Sequence, residues 1–275
     1  MKIGFIGAGQ MATALAAGMA NKCERDLEFI VYSPRSVSIE KLAAECGPKA
    51  NVTAAANSQA VVDDCDVVFI AVKPQVLEDA LEGVSFESKP LVVSIVGGAD
   101  MFRLRRIVGH SRIVRAMPNT PCLIGMAASA YAIDEEVSDS DAALIEEFFG
   151  AVGTITSVDD ETLIDSVTGV AGSGTAYVLT FIEAMIDGGV LVGLKRPVAR
   201  ELAIQTVLGA AQLMKETGKH PGELRDQVTS PGGTTITAIK ALEETGMRDA
   251  VMSAVLVCTE PVSYTHLTLP TICSV

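Results

Sequence analysis

The chain has 275 residues, 49% hydrophobic and 20% charged, with 24 Gly against 11 Pro; it is long enough for two ordinary domains and its composition excludes a disordered or collagen-like protein. Asp and Glu outnumber Lys and Arg by 34 to 21, a formal charge of −13, so the surface repels a phosphate backbone and no nucleic-acid partner is expected. The mean hydropathy of +0.37, without a run of about 18 uncharged apolar residues, argues against a membrane span and assigns the apolar surplus to an oligomer interface.

The six cysteines, Cys23, Cys46, Cys65, Cys122, Cys258 and Cys273, form no CxxC pair, and His110, His220 and His266 lie far apart. Neither a metal site nor a disulfide framework is expected. The opening Met-Lys-Ile-Gly-Phe-Ile-Gly is too short an apolar run for a signal peptide, and a cytoplasmic location follows as the expectation.

In chain order, short apolar runs at residues 2–6, 28–32, 67–72, 91–95 and 112–116 alternate with amphipathic or polar stretches, the rhythm of parallel βαβ units. Residues 126–133 and 154–157, on either side of an acidic helix at 138–150, extend the same sheet. The Arg103-Leu104-Arg105-Arg106 and Lys195-Arg196 clusters read as solvated faces. Beyond Val158 the strand signal stops, and helices are predicted over 161–192, 197–217 and from Ser230 onward. The second has Pro197 at its first position and Gly218 just past its end. Its Leu202, Ile204, Val207, Leu208, Leu213 and Met214 leave little polar face, so a second subunit or the preceding domain must cover it. The expected architecture is an α/β Rossmann-type doubly wound sheet domain over residues 1–158, followed by an all-α domain over 159–260.

The first strand runs into Gly7-Ala8-Gly9-Gln10-Met11-Ala12. In this GxGxxA pattern the first Gly permits a tight turn, the second lets a pyrophosphate approach the backbone, and Ala12 lets the helix pack on the strand. The phosphates would meet the free N–H groups of the helix start. The second strand ends in Val31-Tyr32-Ser33-Pro34-Arg35, without the acid that a ribose 2′-hydroxyl favours; Ser33 and Arg35 suit the 2′-phosphate of NADPH, and NADH stays open. Asn57 falls on the adenine side. Ala71, Val72, Lys73 and Pro74, and Val96-Gly97-Gly98, form loops at the carboxyl edge where such a fold binds its ligand. Arg35 and Lys73 are equally residues that an exposed turn carries.

At Ala116-Met117-Pro118-Asn119-Thr120-Pro121 and Val228-Thr229-Ser230-Pro231-Gly232-Gly233-Thr234-Thr235 the chain resembles the pyrroline-5-carboxylate reductase family. The resemblance runs from residue 1 to about 260 and includes GAGQMA, the AVKP loop, the stretch around Gly172-Ser173-Gly174, and His220-Pro221 through SPGGTT. It implies reduction of the cyclic imine L-1-pyrroline-5-carboxylate to L-proline by NADPH or NADH, in homodimers with interlocked helical domains that often assemble into decamers. It also implies that Glu161, Val228, Ser230, Gly232, Gly233, Thr234, Thr235 and Asn119 line the substrate, with Asn119 and Thr120 at the nicotinamide end.

The residues suit that chemistry. Ser230 as a cap, Pro231 at the first helical position and Gly232 and Gly233 with bared N–H groups make an anion nest for the substrate carboxylate. Thr235 is placed by the resemblance at the ring nitrogen; a threonine hydroxyl is too weak an acid to protonate it, so Thr235 orients an iminium already protonated or relays a proton from water. His220, beside a proline, reads as a structural loop residue. Glu161 has two readings, attraction of the developing ammonium or ordinary capping of a helix's first turn.

Two features depart from the family: Thr175, where the family has proline, and residues 261–275, which break the pattern of the last helix and read as a non-native tail. Two rivals remain. An NADP-linked hydroxy-acid reductase would carry a lysine on the helix after the domain boundary, and residues 161–194 contain none. A non-catalytic NADP-binding regulator would not need an intact SPGGTT nest.

Overall fold

A computed structural model describes residues 1–48 and 50–259; the expected non-native tail, with His266 and Cys273, lies outside the described residues. The alternating runs form β1 (Lys2–Ile6), α1 (Gln10–Lys22), β2 (Glu28–Tyr32), α2 (Ser36–Cys46), β3 (Asn51–Ala54), α3 (Ser58–Asp64), β4 (Val67–Ile70), α4 (Leu77–Leu81), β5 (Leu91–Ser94), α5 (Met101–Val108) and β6 (Ile113–Met117), then β7 (Ala127–Ile133), α6 (Asp139–Gly150) and β8 (Gly153–Ser157). They build one eight-stranded sheet in the order β3-β2-β1-β4-β5-β6-β7-β8. The first six strands are parallel, whereas β7 runs antiparallel to β6 and carries β8 parallel to itself at the edge. Strand β3 has no apolar run and an exposed face, and the periodicity did not single it out.

The sheet is buried on both faces, as a parallel sheet requires. Phe5 and Phe69 stack at 4.8 Å on one face, beneath Leu15 and Met19 of α1, Leu42 of α2 and Phe148 and Phe149 of α6. On the other, Ile6, Val68, Ile70, Val92 and Ile113 meet Val61 and Val62 of α3, Leu77 of α4 and Leu104 of α5. The chain winds outward through β2 and β3, then crosses back to β4 on the far side of β1. That reversal opens a crevice between the carboxyl ends of β1 and β4.

The helical part comprises α7 (Leu163–Val167), a π turn (Thr168–Gly172), α8 (Gly174–Leu191), α9 (Arg196–Thr217), α10 (Pro221–Gln227), α11 (Thr234–Glu244) and α12 (Met247–Thr259). The predicted helix over 161–192 is therefore widened by a π turn. It sits where α12 crosses so closely that a Cβ on Gly169 would lie 2.8 Å from the Val255 carbonyl oxygen. Ile164 is buried and Val167 packs in the second core, so that core continues past residue 158. Two helix starts shift as well. Helix α9 begins at Arg196, one residue ahead of Pro197. Helix α11 begins at Thr234 with Gly233 as its cap, so Ser230 and Pro231 belong to the preceding turn and not to the helix. Gly218 ends α9 in the left-handed conformation, as predicted.

In α8 to α12, only Ala199 and Ala203 are buried among the described residues. Leu202 is 54% exposed, Leu208 48% and Leu256 61%; the nucleotide domain does not cover these faces. By length and composition the helical stretch Leu163–Leu191 could cross a bilayer. The expectation of no run of about 18 uncharged apolar residues concerned uncharged runs, and this stretch contains Asp165, Glu183 and Asp187.

Helix α6 is fastened at its start. Ser138 and Asp141 form a reciprocal capping box, and Arg112, just ahead of β6, grips the Asp141 carboxylate at 2.7 and 3.1 Å. Arg112 foremost, and then hydrogen bonds from Ser138, hold the Asp141 carboxyl below its ordinary value of 3.8 against the opposing effect of burial. A carboxyl depressed in the folded state stabilises fully above its unfolded value, and that contribution is lost as pH falls through the folded one. Asp141→Asn is therefore expected to melt below the parent at neutral pH, the gap closing only as the pH falls well below the ordinary carboxyl value of 3.8, by thermal melts across that range.

Candidate functional site

At the reversal point the β1–α1 turn meets the β4 loop. Gly7 has φ of +103°, and a Cβ there would sit 2.6 Å from the Ala71 carbonyl oxygen; only glycine fits. The Gly7 amide donates to Tyr32 O at 2.8 Å and the Ala71 amide to Ile6 O at 2.9 Å, which fixes both loops to the sheet. Gly9 faces open space and caps α1 without a side chain. The amides of Gln10, Met11 and Ala12 consequently have no acceptor among the described residues. Ala12 is fully buried against the sheet. Free first-turn amides over an open glycine are what a pyrophosphate needs, so the residues present fit a dinucleotide.

A cleft of about 600 Å³ opens beside this turn, lined among others by Gly7, Tyr32, Pro34, Asn57, Val72 and Val84. Asn57 caps α3 through its side chain, accepting from the Ala60 amide at 2.9 Å. Ser33 Oγ accepts from the Arg35 amide at 3.4 Å, and the Arg35 side chain is exposed at the start of α2. Lys73 and Pro74 stand at the start of a 3₁₀ turn, with Lys73 exposed. Gly97 lies against Met117, and Thr120 opens the 3₁₀ turn Thr120–Ile124. A second cleft of about 580 Å³, between α1, α2 and that turn, holds only Gln10 of the expected cofactor residues.

Two expected residues have partners within the chain. The buried Asn119 side chain donates from Nδ2 to Ala171 O of the π turn at 3.1 Å and accepts at Oδ1 from the Ala128 amide at 3.0 Å. It clamps β7 to the helical stretch. Glu161 stands two residues ahead of α7, outside its first turn, and its carboxylate pairs with Arg115 Nη1 at 2.6 Å. It does not cap its own helix α7; its other carboxylate oxygen accepts from the Met101 amide at the start of α5 at 3.3 Å. Arg115 and Asp165 escaped the sequence reading; the available signal was an arginine inside the otherwise apolar strand Ile113-Val114-Arg115-Ala116-Met117.

The SPGGTT segment forms a tight turn. The Gly233 amide donates to Ser230 O at 3.1 Å, and Gly232 has φ of +69° with open space around it. Because Gly233 caps α11 without a side chain, the amides of Thr234, Thr235 and Ile236 have no acceptor among the described residues. Ser230 leaves this nest open, whereas a capping serine would have filled it. Thr235 is half-buried in the first turn of α11 and Val228 is exposed just ahead of the segment. Helix α11 packs chiefly on α12, and the turn does not line the nucleotide cleft of its own chain. His220 caps α10, its Nδ1 accepting from the Gly222 amide at 3.1 Å.

The open space at Gly9 separates folding from cofactor binding. Gly9→Ala is expected to keep the fold, with a melting temperature lower by at most about 4 °C because alanine is the poorer cap, while weakening NADPH binding at least tenfold, about 1.4 kcal/mol, read by calorimetric titration.

Residues 161–263 match the family model for pyrroline-5-carboxylate reductase dimerisation, and residues 2–98 match that for NADP oxidoreductase, coenzyme F420-dependent. The chain is 42% identical to the pyrroline-5-carboxylate reductase of Synechocystis, over 93% of this chain and 94% of that protein. Identity to the Escherichia coli reductase is 41%, over 94% and 96%. A crystal structure of the Plasmodium falciparum pyrroline carboxylate reductase with NADP bound superposes with a TM-score of 0.81 at 32% identity, covering 94% of this chain and 96% of that one. With full-length relatives above 40% identity and a helical region that matches the dimerisation model, the chain belongs to the pyrroline-5-carboxylate reductase family.

Proposed function

We infer that the chain catalyses the NADPH-dependent reduction of the C=N bond of L-1-pyrroline-5-carboxylate to L-proline, the last step of proline biosynthesis. The observation that carries this is the 42% identity to a named reductase over 93% of the chain, on a fold that keeps both the β1–α1 amides and the SPGGTT amides open.

When bound, the nicotinamide supplies the hydride. The amides of Gln10, Met11 and Ala12 hold the pyrophosphate, with Gly7, Ala8 and Gly9 letting it approach, and Asn57 lies toward the adenine. Ser33 and Arg35 receive the 2′-phosphate, which favours NADPH over NADH. Loops at Ala71–Pro74 and Gly97, with Thr120, border the nicotinamide end. The turn Ser230–Thr235, flanked by Val228, holds the substrate carboxylate on backbone amides without a basic side chain. Thr235 hydrogen-bonds to the ring nitrogen and keeps the imine in line for transfer; the nitrogen's proton comes from solvent, before or through that hydroxyl.

The bare faces of α8, α9 and α12 pair two copies as a homodimer, and the partner's SPGGTT turn then faces the nucleotide cleft. Assembly of dimers into a decamer, a cytoplasmic location and the absence of nucleic-acid and membrane partners complete the reading. The two domains divide near residue 158. A hydroxy-acid reductase is disfavoured because α7 and α8 carry no lysine.

The test is NADPH consumption with racemic pyrroline-5-carboxylate. A hydrogen bond to a charged group contributes about 1.5–3 kcal/mol, so Thr235→Ala is expected to lower kcat by about ten- to a hundredfold. Arg35→Glu is expected to reverse the preference of NADPH over NADH. NADPH binding without imine reduction would overturn the assignment.

A further inference from the structure

Arg115 projects from β6 onto the face that carries Ile113, Ala132 and Ile164, and its side chain is 2% exposed. Nη1 donates to Glu161 Oε2 at 2.6 Å and to the Glu161 carbonyl at 3.2 Å, and Nη2 donates to Asp165 Oδ1 at 2.6 Å. Nε has no partner among the described residues. The other Glu161 oxygen accepts from the Met101 amide at 3.3 Å, at the start of α5 and a few residues after Gly97-Gly98. One buried guanidinium thus ties together a strand, the segment that leaves the sheet and, through Glu161, the loop after β5.

An apolar side chain would hold Ile164 and α7 on the sheet without desolvating a charge. The arginine adds direction, because its planar fork fixes two carboxylates at once. Two residues further along β6, Met117 lies against Gly97; two more, and Asn119 grips Ala171 in the π turn. The stretch from Glu161 to Ala171 is therefore pinned at both ends above the edge of the sheet that the reductase reading assigns to the nicotinamide.

We propose that Arg115, acting through Glu161 and Asp165, is a positioning residue for imine reduction: it sets the direction in which the α7–α8 helix leaves the sheet, and so aligns the helical half of the site with the nicotinamide end of the cleft. This rests on the reductase reading, which the parent's own turnover tests separately.

The experiment compares parent, Arg115→Met and Arg115→Lys as full chains by steady-state kinetics, NADPH titration and circular dichroism. A misalignment of about 1 Å costs up to about a hundredfold in rate. Arg115→Met is expected to lose at least about tenfold in kcat while KM for the imine and the NADPH dissociation constant stay within about threefold. Arg115→Lys, which reaches one carboxylate only, is expected to recover part of the kcat. A folded Arg115→Met with kcat within about twofold of the parent overturns the proposal, as does a loss of kcat matched by weaker NADPH binding. Should Arg115→Met not fold, Asp165→Asn decides, since that side chain is 54% exposed and its removal strands no second buried charge. It is expected to lower kcat about threefold at unchanged NADPH affinity, and an unchanged kcat overturns the proposal.

Discussion

The crossing of two backbones at Gly7 is the constraint on which the rest of the molecule depends. The β1–α1 turn and the β4 loop approach so closely that no side chain fits between them. That contact is possible only because the sheet reverses its winding direction between β1 and β4. It brings the start of α1 to the crevice with its amides uncommitted, and burial of Ala12 keeps the helix seated on the strand. The same device recurs in the helical part, where Gly233 caps α11 with no side chain to occupy the amides behind it. Two helix starts, each headed by glycines, thus leave free amides in the two halves of the molecule, of the kind an anion seeks.

Between these halves the structure is stiff where it touches the sheet and bare where it leaves it. Arg115, Glu161, Asn119 and Ile164 bind the departing chain to β6 and β7 by charge, amide and apolar contacts together. Beyond the π turn, buried side chains almost vanish. A helical unit with so few buried residues cannot offset its own ordering entropy, so its stability resides in an interface. The family model that matches residues 161–263 is a dimerisation model, which agrees with this surplus of apolar surface.

Much of this was legible in the sequence, for identifiable reasons. The strands β1, β2, β4, β5 and β6 inside the sheet read as short apolar runs; β3 did not, because Asn51-Val52-Thr53-Ala54 lies at an edge with little to bury. The β1–α1 turn was legible because its glycines answer to backbone geometry alone. Helix starts were less so: Pro197 and Pro231 drew the predicted boundaries to themselves, whereas α9 begins a residue earlier and α11 three residues later. The π turn has no periodic signature, since it depends on α12 crossing Gly169 from 86 positions away in sequence. Glu161 and Asn119 were recognised as residues of consequence, but their contacts with Arg115 and Ala171 are tertiary.

The bare α8 and α9 faces also bear on how the protein behaves on dilution. If folding of the helical half and completion of the substrate pocket both depend on a second copy, catalytic output is not proportional to the amount of chain present. Below the concentration at which subunits remain paired, mass action lowers the number of complete sites and loosens the helical half together. Turnover per subunit and resistance to heat then become functions of concentration, and the cell's expression level becomes a parameter of the enzyme's specific activity.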